Sequence, residues 1–455
     1  MSKKILALVV AASVLAGGAV ANPVKAEKKR FEFWYGLTGN LGERVKDACA
    51  RFNASQDKFE AVCTGQGGYA EAVQNTVAAY RGNSHPAVVQ VFDGATLDLM
   101  LSGAYIPVTR LMAEHGYDVD WADYFPGISN YFSTASGELL AFPFNSSTAV
   151  LYLNRDALRR AGVERAPQTW EEVESAAVKL KAAGFDCPFS FDYDSWPTIE
   201  QFSAIHNQPF ATRANGYDGL DAELLINRTK VVDHLSFFKR MADAGLFVTK
   251  TPQQGVGVVP SFASGQCQMM QTSIAFYDTI KATLDPKVQW DVAMLPVWKG
   301  TPRRNSIVGG TSLWVMKNRP AQEYDGVAAF FDFLAKPENV EWWSGVTGYI
   351  PVTRSAFTAM KATGFYQRPE NRGKEMAIES LSWSPVSENT RGIRLGGFSL
   401  IRREMSDAME AIFTNRMSVQ AALDRAVARG NVILRRFEKT YANRRVESGT
   451  DAGKP

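Results

Sequence analysis

The sequence predicts an α/β protein built as two domains, and three observations carry that reading. Strand and helix patterns alternate from residue 31 to residue 92, and the alternation restarts after residues 143–154. A chain of 455 residues is long for a single hydrophobic core. Charged residues make up 21% and hydrophobic residues 45%, ordinary values for a globular protein. The formal net charge of +3 is too small and scattered to argue for nucleic acid.

Lys3 and Lys4 precede an apolar run from 5 to 15, and small residues follow. This is a secretory signal peptide, too short and wrongly flanked for a membrane span. Cleavage fits either Ala21 or Ala26. Export places Cys49, Cys63, Cys187 and Cys267 in an oxidising compartment. Of the three pairings open to them, the element order favours Cys49–Cys63 and Cys187–Cys267; four buried thiols are the alternative.

Residues 31–36 read as the first strand. Asn40, Leu41, Gly42 and Glu43 have the form of a capping box and start a helix through Phe52. Residues 59–64 are a second strand, and a helix follows to about Arg81. Pro86 admits a third strand, 87–92, ending on Asp93 and Gly94. Such alternation implies a parallel core sheet with helices on both faces. Ligands of such sheets sit outside the carboxyl ends of the strands. Tyr69 and Asp93 stand at such ends, where an ordinary surface-loop role fits each as well.

Residues 143–154 read PFNSSTAVLYLN. Asn145, Ser146, Ser147 and Thr148 put one amide and three hydroxyls at the mouth of a buried strand, 150–153. Such groups are costly there unless hydrogen-bonded. A polar turn before a core strand is one reading. The other is a crossing between two lobes, its hydroxyls turned toward a polar ligand. Asn154 then starts a helix.

In the second half, Thr169 caps a helix that runs to about Ala183, with Glu172 closing its box. Residues 187–191 are a strand, followed by Tyr193 and Trp196 in a loop. A strand over 268–272 ends on Ser273, and another covers 291–295. Gly309 and Gly310 precede an apolar strand, as close backbone packing or close approach to a ligand requires. Helices dominate from about 328 onward. The tail 443–455 reads as disordered.

Several chemistries are missing. No G-x-x-x-x-G-K-[ST] loop, G-x-S-x-G elbow, H-E-x-x-H or C-x-x-C occurs. The four histidines, His85, His115, His206 and His234, are scattered. A hydrolase built from distant carboxylates, a secreted phosphodiesterase or glycosidase, is the reading from a different class.

The motifs P-x-T-W-E-E at 167–172, F-x-x-G-x-C-x-M at 262–269 and GGTSLWVM at 309–316 resemble the periplasmic substrate-binding proteins of ABC importers, in their carbohydrate-binding branch. PFNSST at 143–148, LAKPEN at 334–339, TGYIP at 347–351 and RLGG at 394–397 with Ile401 and Arg402 are similar to its glycerol-phosphate receptors. The resemblance implies the type II two-lobed periplasmic binding protein fold, hinged between lobes. The layout it implies is a signal peptide over 1–26, a first lobe of 27–143 and 297–350, and a second of 144–296 and 351–442.

It also implies a monomeric, non-enzymatic periplasmic receptor without cofactor or metal. That receptor carries sn-glycerol-3-phosphate to a membrane-embedded permease. Glycerophosphodiesters such as glycerophosphocholine, or a sugar, are the alternatives. The implied ligand contacts are Tyr69, Asp93, Ser147, Tyr193, Trp196, Ser273, Gly310, Tyr349 and Arg402. Arg402 would supply a charged fork to phosphate and Asp93 would accept from glycerol hydroxyls. This sequence departs from the family at Asp93, where glutamate is usual, and at Tyr193, where tryptophan is usual.

Overall fold

The computed structural model describes residues 27–442; the signal peptide and the tail expected at 443–455 lie outside the described residues. Five strands come first: β1 (Lys29–Tyr35), β2 (Phe59–Gly65), β3 (Val88–Phe92), β4 (Tyr105–Ile106) and β5 (Phe142–Ser147). Strands β6 (Ala149–Asn154), β7 (Cys187–Phe191), β8 (Phe247–Thr249), β9 (Cys267–Ser273) and β10 (Trp290–Met294) form a second sheet in the order β10-β6-β9-β7-β8. Strand β11 (Gly309–Met316) then returns to the first sheet, whose order is β2-β1-β3-β11-β4 with β5 also paired to β11.

Strand β1 is parallel to both β2 and β3, as the alternating pattern predicts. The sheet is nevertheless mixed. Strand β11 arrives from the other sheet without a crossover helix beside it, and it pairs antiparallel with β3, β4 and β5. No helix among the described residues is long and apolar enough to cross a membrane.

The passage between the sheets takes one residue. Ser147 is in register with Gly309 in the first sheet, and Ala149 with Ser273 in the second; Thr148 alone lies between. The boundary expected after Pro143 thus falls inside β5. Strand β6 shows why its sequence is apolar throughout. Ala149, Leu151 and Leu153 face a core shared with Trp170, Phe189 and Phe238, while Val150 and Tyr152 face the opposite core with Met270 and Val292. A strand covered on both faces has no polar side to show.

The expected caps divide into two kinds. Asn154 accepts from the Ala157 N–H and Thr169 from the Glu172 N–H, starting the helices Arg155–Arg160 and Trp170–Ala182. Glu172 reaches back to the Gln168 N–H at 2.7 Å, one residue beyond the N-cap N–H that a capping box would take. The box expected at Asn40 does not form. The helix Gly39–Ser55 begins earlier, behind Thr38, without a side-chain cap.

Both disulfides join neighbouring elements. Cys49 on that helix is bonded to Cys63 on β2, and Cys187 to Cys267, its register partner on parallel β7 and β9. The separations of 14 and 80 residues restrict the unfolded chain, an effect of about 3 and about 4–5 kcal/mol by chain entropy. Helices Phe398–Phe413 and Val419–Tyr441 pack together through Ile401, Met405, Met409 and Ile412 against Leu423, Val427 and Leu434. The 3–4-residue spacing of those apolar positions puts them on one stripe of each helix. This pairing carries Arg402 toward the space between the sheets.

Candidate functional site

A cavity of about 390 Å³ lies where the strand ends of the two sheets face each other, and eight of the nine residues expected at a ligand line it. Tyr69 is the first residue of the helix Tyr69–Arg81 and stacks on Phe92, the last residue of β3. Asp93 follows directly, at the carboxyl end of β3. Ser147 closes β5, and Ser273 closes β9 with its Oγ accepting from the Ala275 N–H at 3.2 Å. Tyr349 follows the helix Pro337–Val346 and stacks on Trp343 with an interplanar angle of 1°. Trp196 opens a short turn after β7, and Arg402 comes from the first turns of the helix Phe398–Phe413.

The paired glycines of β11 serve close packing. A Cβ on Gly309 would sit 2.3 Å from the Trp196 ring. Gly310 has φ +106°, and a Cβ there would meet the Asn145 carbonyl oxygen at 2.0 Å. Trp196 therefore reaches the cavity wall only because position 309 has no side chain.

A polar network lies beneath the two tyrosines. The Asn145 amide donates to the Tyr69 hydroxyl at 3.1 Å, and the Tyr69 and Tyr349 hydroxyls are 3.4 Å apart. Asn145 Oδ1 accepts from Gln90 Nε2 at 2.8 Å and from the Thr311 hydroxyl, and Gln90 Oε1 accepts from the Gly36 N–H at 2.9 Å. Burial raises the pKa of both phenols, so they stay protonated and able to donate at neutral pH.

The charged groups depart most from expectation. Arg402 donates through Nε to Glu200 Oε1 at 2.8 Å, and through Nη2 to Glu200 Oε2 at 2.7 Å and to Asp93 Oδ2. Glu200 also accepts from the Ser195 hydroxyl at 3.0 Å. Asp93 follows a strand of the first sheet, whereas Glu200 and Arg402 belong to elements outside it, so this cluster closes across the cavity. The Arg402 Nη1 edge has no acceptor among the described residues. Burial opposes the Arg402 charge, but Asp93 and Glu200 hold its pKa well above the usual range. Burial raises the Glu200 pKa, and Arg402 pulls against that rise.

Tyr193 is the expected residue that the cavity lacks. Its ring lies parallel to Phe413, and its hydroxyl is 3.3 Å from Thr249 Oγ1. The next residue, Asp194, lines the cavity in its place. The hydroxyl row also divides. Ser147 lines the cavity, Thr148 donates to Gln201 Oε1 and the Ile307 carbonyl, and Ser146 Oγ is buried without a partner. Glu200 and Asp194 escape the sequence reading. One signal for Glu200 exists: it is the only charge within WPTIEQFSAI, residues 196–205.

Residues 47–372 match the family of bacterial extracellular solute-binding proteins. The chain is 38% identical over 416 residues to the sn-glycerol-3-phosphate-binding periplasmic protein UgpB of Escherichia coli, covering 90% of this chain and 93% of that protein. The corresponding Shigella flexneri protein is 37% identical over the same shares. Among solved structures, UgpB from Mycobacterium tuberculosis in complex with glycerophosphocholine matches with a TM-score of 0.75 at 21% identity, covering 90% of this chain and 99% of that one. The sugar-binding protein MalE from Xanthomonas citri matches with a TM-score of 0.70 at 19% identity, covering 91% and 100%. These likenesses establish the two-lobed type II periplasmic binding fold. The chain belongs to the bacterial extracellular solute-binding protein family.

Proposed function

We propose that this protein is a periplasmic receptor that binds sn-glycerol-3-phosphate or a glycerophosphodiester and delivers it to the transmembrane subunits of an ABC importer. The observation that carries this reading is the single cavity into which both sheets and the helix of Arg402 send polar groups. The Arg402 Nη1 edge, the Ser147 and Ser273 hydroxyls and the two phenols are donors for a phosphate. Asp93 would accept from glycerol hydroxyls while holding Arg402 in place. The lobes are 27–147 with 297–350 and 149–296 with 351–442, parted at Thr148 on the first crossing. Ligand contacts from both lobes favour a closed form. The receptor acts as a monomer and binds without chemistry.

Calorimetric titration with sn-glycerol-3-phosphate, glycerophosphocholine and maltose tests the reading. Binding of a glycerol phosphate with no response to maltose supports it. Maltose binding alone would move the protein to the sugar receptors. Release of choline from glycerophosphocholine would make it a phosphodiesterase.

A further inference from the structure

The cavity wall holds more negative than positive side chains. Arg402 is the only cationic residue lining it among the described residues, and Asp93 and Asp194 line it as well. Glu200 stands behind Arg402 as a third carboxylate. Asp93 and Glu200 are both ion-paired to the guanidinium. Asp194 makes no ion pair among the described residues. Its Oδ1 accepts only from the Trp196 N–H, at 2.9 Å, and its own N–H donates to Asp192 Oδ1 at 3.1 Å. These two bonds fix the loop and leave Oδ2 without a donor among the described residues.

Asp194 is exposed to the open cavity, whereas Glu200 is buried. Partial removal from water by the surrounding cavity wall raises the Asp194 pKa, and the only counterweight from a cation is the field of Arg402. The same cavity is lined by the rings of Trp196, Phe276 and Phe92. A cavity that holds both a carboxylate and aromatic rings is an environment that attracts an alkylammonium group. A phosphate monoester dianion meets the opposite balance, since Nε and Nη2 of Arg402 are already engaged and Asp194 repels it.

Resting on the glycerol-phosphate reading above, we propose that Asp194 is the specificity-determining residue, pairing with a cationic head group on the phosphate and favouring an ammonium-bearing glycerophosphodiester over the monoester. The two neighbouring carboxylates have a different task. Asp93 and Glu200 hold the guanidinium, whereas Asp194 is left for the ligand.

Paired calorimetric titrations of glycerophosphocholine and sn-glycerol-3-phosphate test this on wild type, Asp194→Asn and Asp194→Glu. The asparagine keeps the shape and, through its amide oxygen, the bond from the Trp196 N–H. Its glycerophosphocholine affinity should fall by about tenfold, the scale of one lost charge pair, with sn-glycerol-3-phosphate binding unchanged or tighter. The glutamate keeps the charge and should keep the preference. Equal losses for both ligands in Asp194→Asn, or an unchanged ratio, would overturn the role of Asp194 and leave the receptor reading standing. Wild type that binds neither ligand would overturn the receptor reading, and this inference with it.

Discussion

Lys374, which is buried, and Arg402, which is half-buried, both tie together distant parts of the chain, yet only Arg402 faces an open cavity. Lys374 Nζ donates to Asp278 Oδ2 at 2.6 Å, to the Ser344 carbonyl at 3.0 Å and to the Thr347 carbonyl at 2.9 Å. An ammonium has three hydrogens, so this one is fully used. Its charge also lies 4.8 Å from the Tyr277 ring centroid. The two carbonyls stand at the end of the helix Pro337–Val346, where carbonyls lack intrahelical partners. Lys374 thereby locks that helix end to the helix Tyr277–Thr283. Arg402 has five hydrogens and leaves its Nη1 edge without a protein acceptor. The difference separates a structural clamp from a site: a saturated buried cation holds the fold, and an unsaturated one beside a cavity is held ready for a ligand.

The sharpest way to break this comparison is Lys374→Met. It leaves two helix-end carbonyls without their donor and Asp278 with Lys281 as its remaining partner. Unfolding in urea at neutral pH should show a loss of about 3–5 kcal/mol, as for a broken buried pair. Ligand affinity in the surviving fold should stay near wild type. A loss below about 1 kcal/mol would mean that Lys374 is no clamp.

Arg402→Ala should show the reverse emphasis. Ligand binding should weaken by about 2–5 kcal/mol, measured by calorimetry. Stability should fall as well, because buried Glu200 loses its guanidinium partner, although its raised pKa lets it take up a proton and Asp93 beside the cavity can be hydrated. Near-wild-type affinity would remove Arg402 from the site.

The smallest effect concerns pH. Burial pushes the Lys374 pKa down to about 8, against the pull of Asp278. Its value in the unfolded chain is about 10.4. Between those values the unfolded chain binds more protons than the folded one, so this group makes stability rise with pH. Below about pH 8 the increment is absent. From pH 8 to pH 10 wild type should gain about 2 kcal/mol relative to Lys374→Met. Parallel curves for the two proteins would show that the lysine titrates normally.

Some of the site is legible along the chain because local physics places it. Tyr69, Asp93, Ser147 and Ser273 stand at strand or helix ends, and those ends follow from apolar runs and their polar punctuation. Tyr193 was not placed that way. Tyr193 and Asp194 are adjacent in a loop, and nothing in their own sequence says which turns inward. Phe413 and Thr249, both distant in sequence, hold the tyrosine outside the cavity and leave the carboxylate within it. The paired glycines show the same limit. They announce a close approach, but that Gly309 yields to Trp196 and Gly310 to the Asn145 carbonyl is a matter of which strands meet.

The sequence by itself determined the α/β class, eight of the eleven described strands (all but β4, β5 and β8), the longer helices, and the restart of the pattern after residue 154. These depend on residue periodicity and on caps such as Asn154 and Thr169, which act within a few residues. Tertiary structure alone decided that β11 returns antiparallel to the first sheet and that Arg402 is claimed by Asp93 and Glu200. It also decided that Lys374 is saturated while Asp194 is not. Those outcomes depend on groups as much as 309 residues apart meeting in a low-dielectric interior. There the balance of charge and hydrogen bonding is set by which partners arrive, and no short stretch of the chain encodes that.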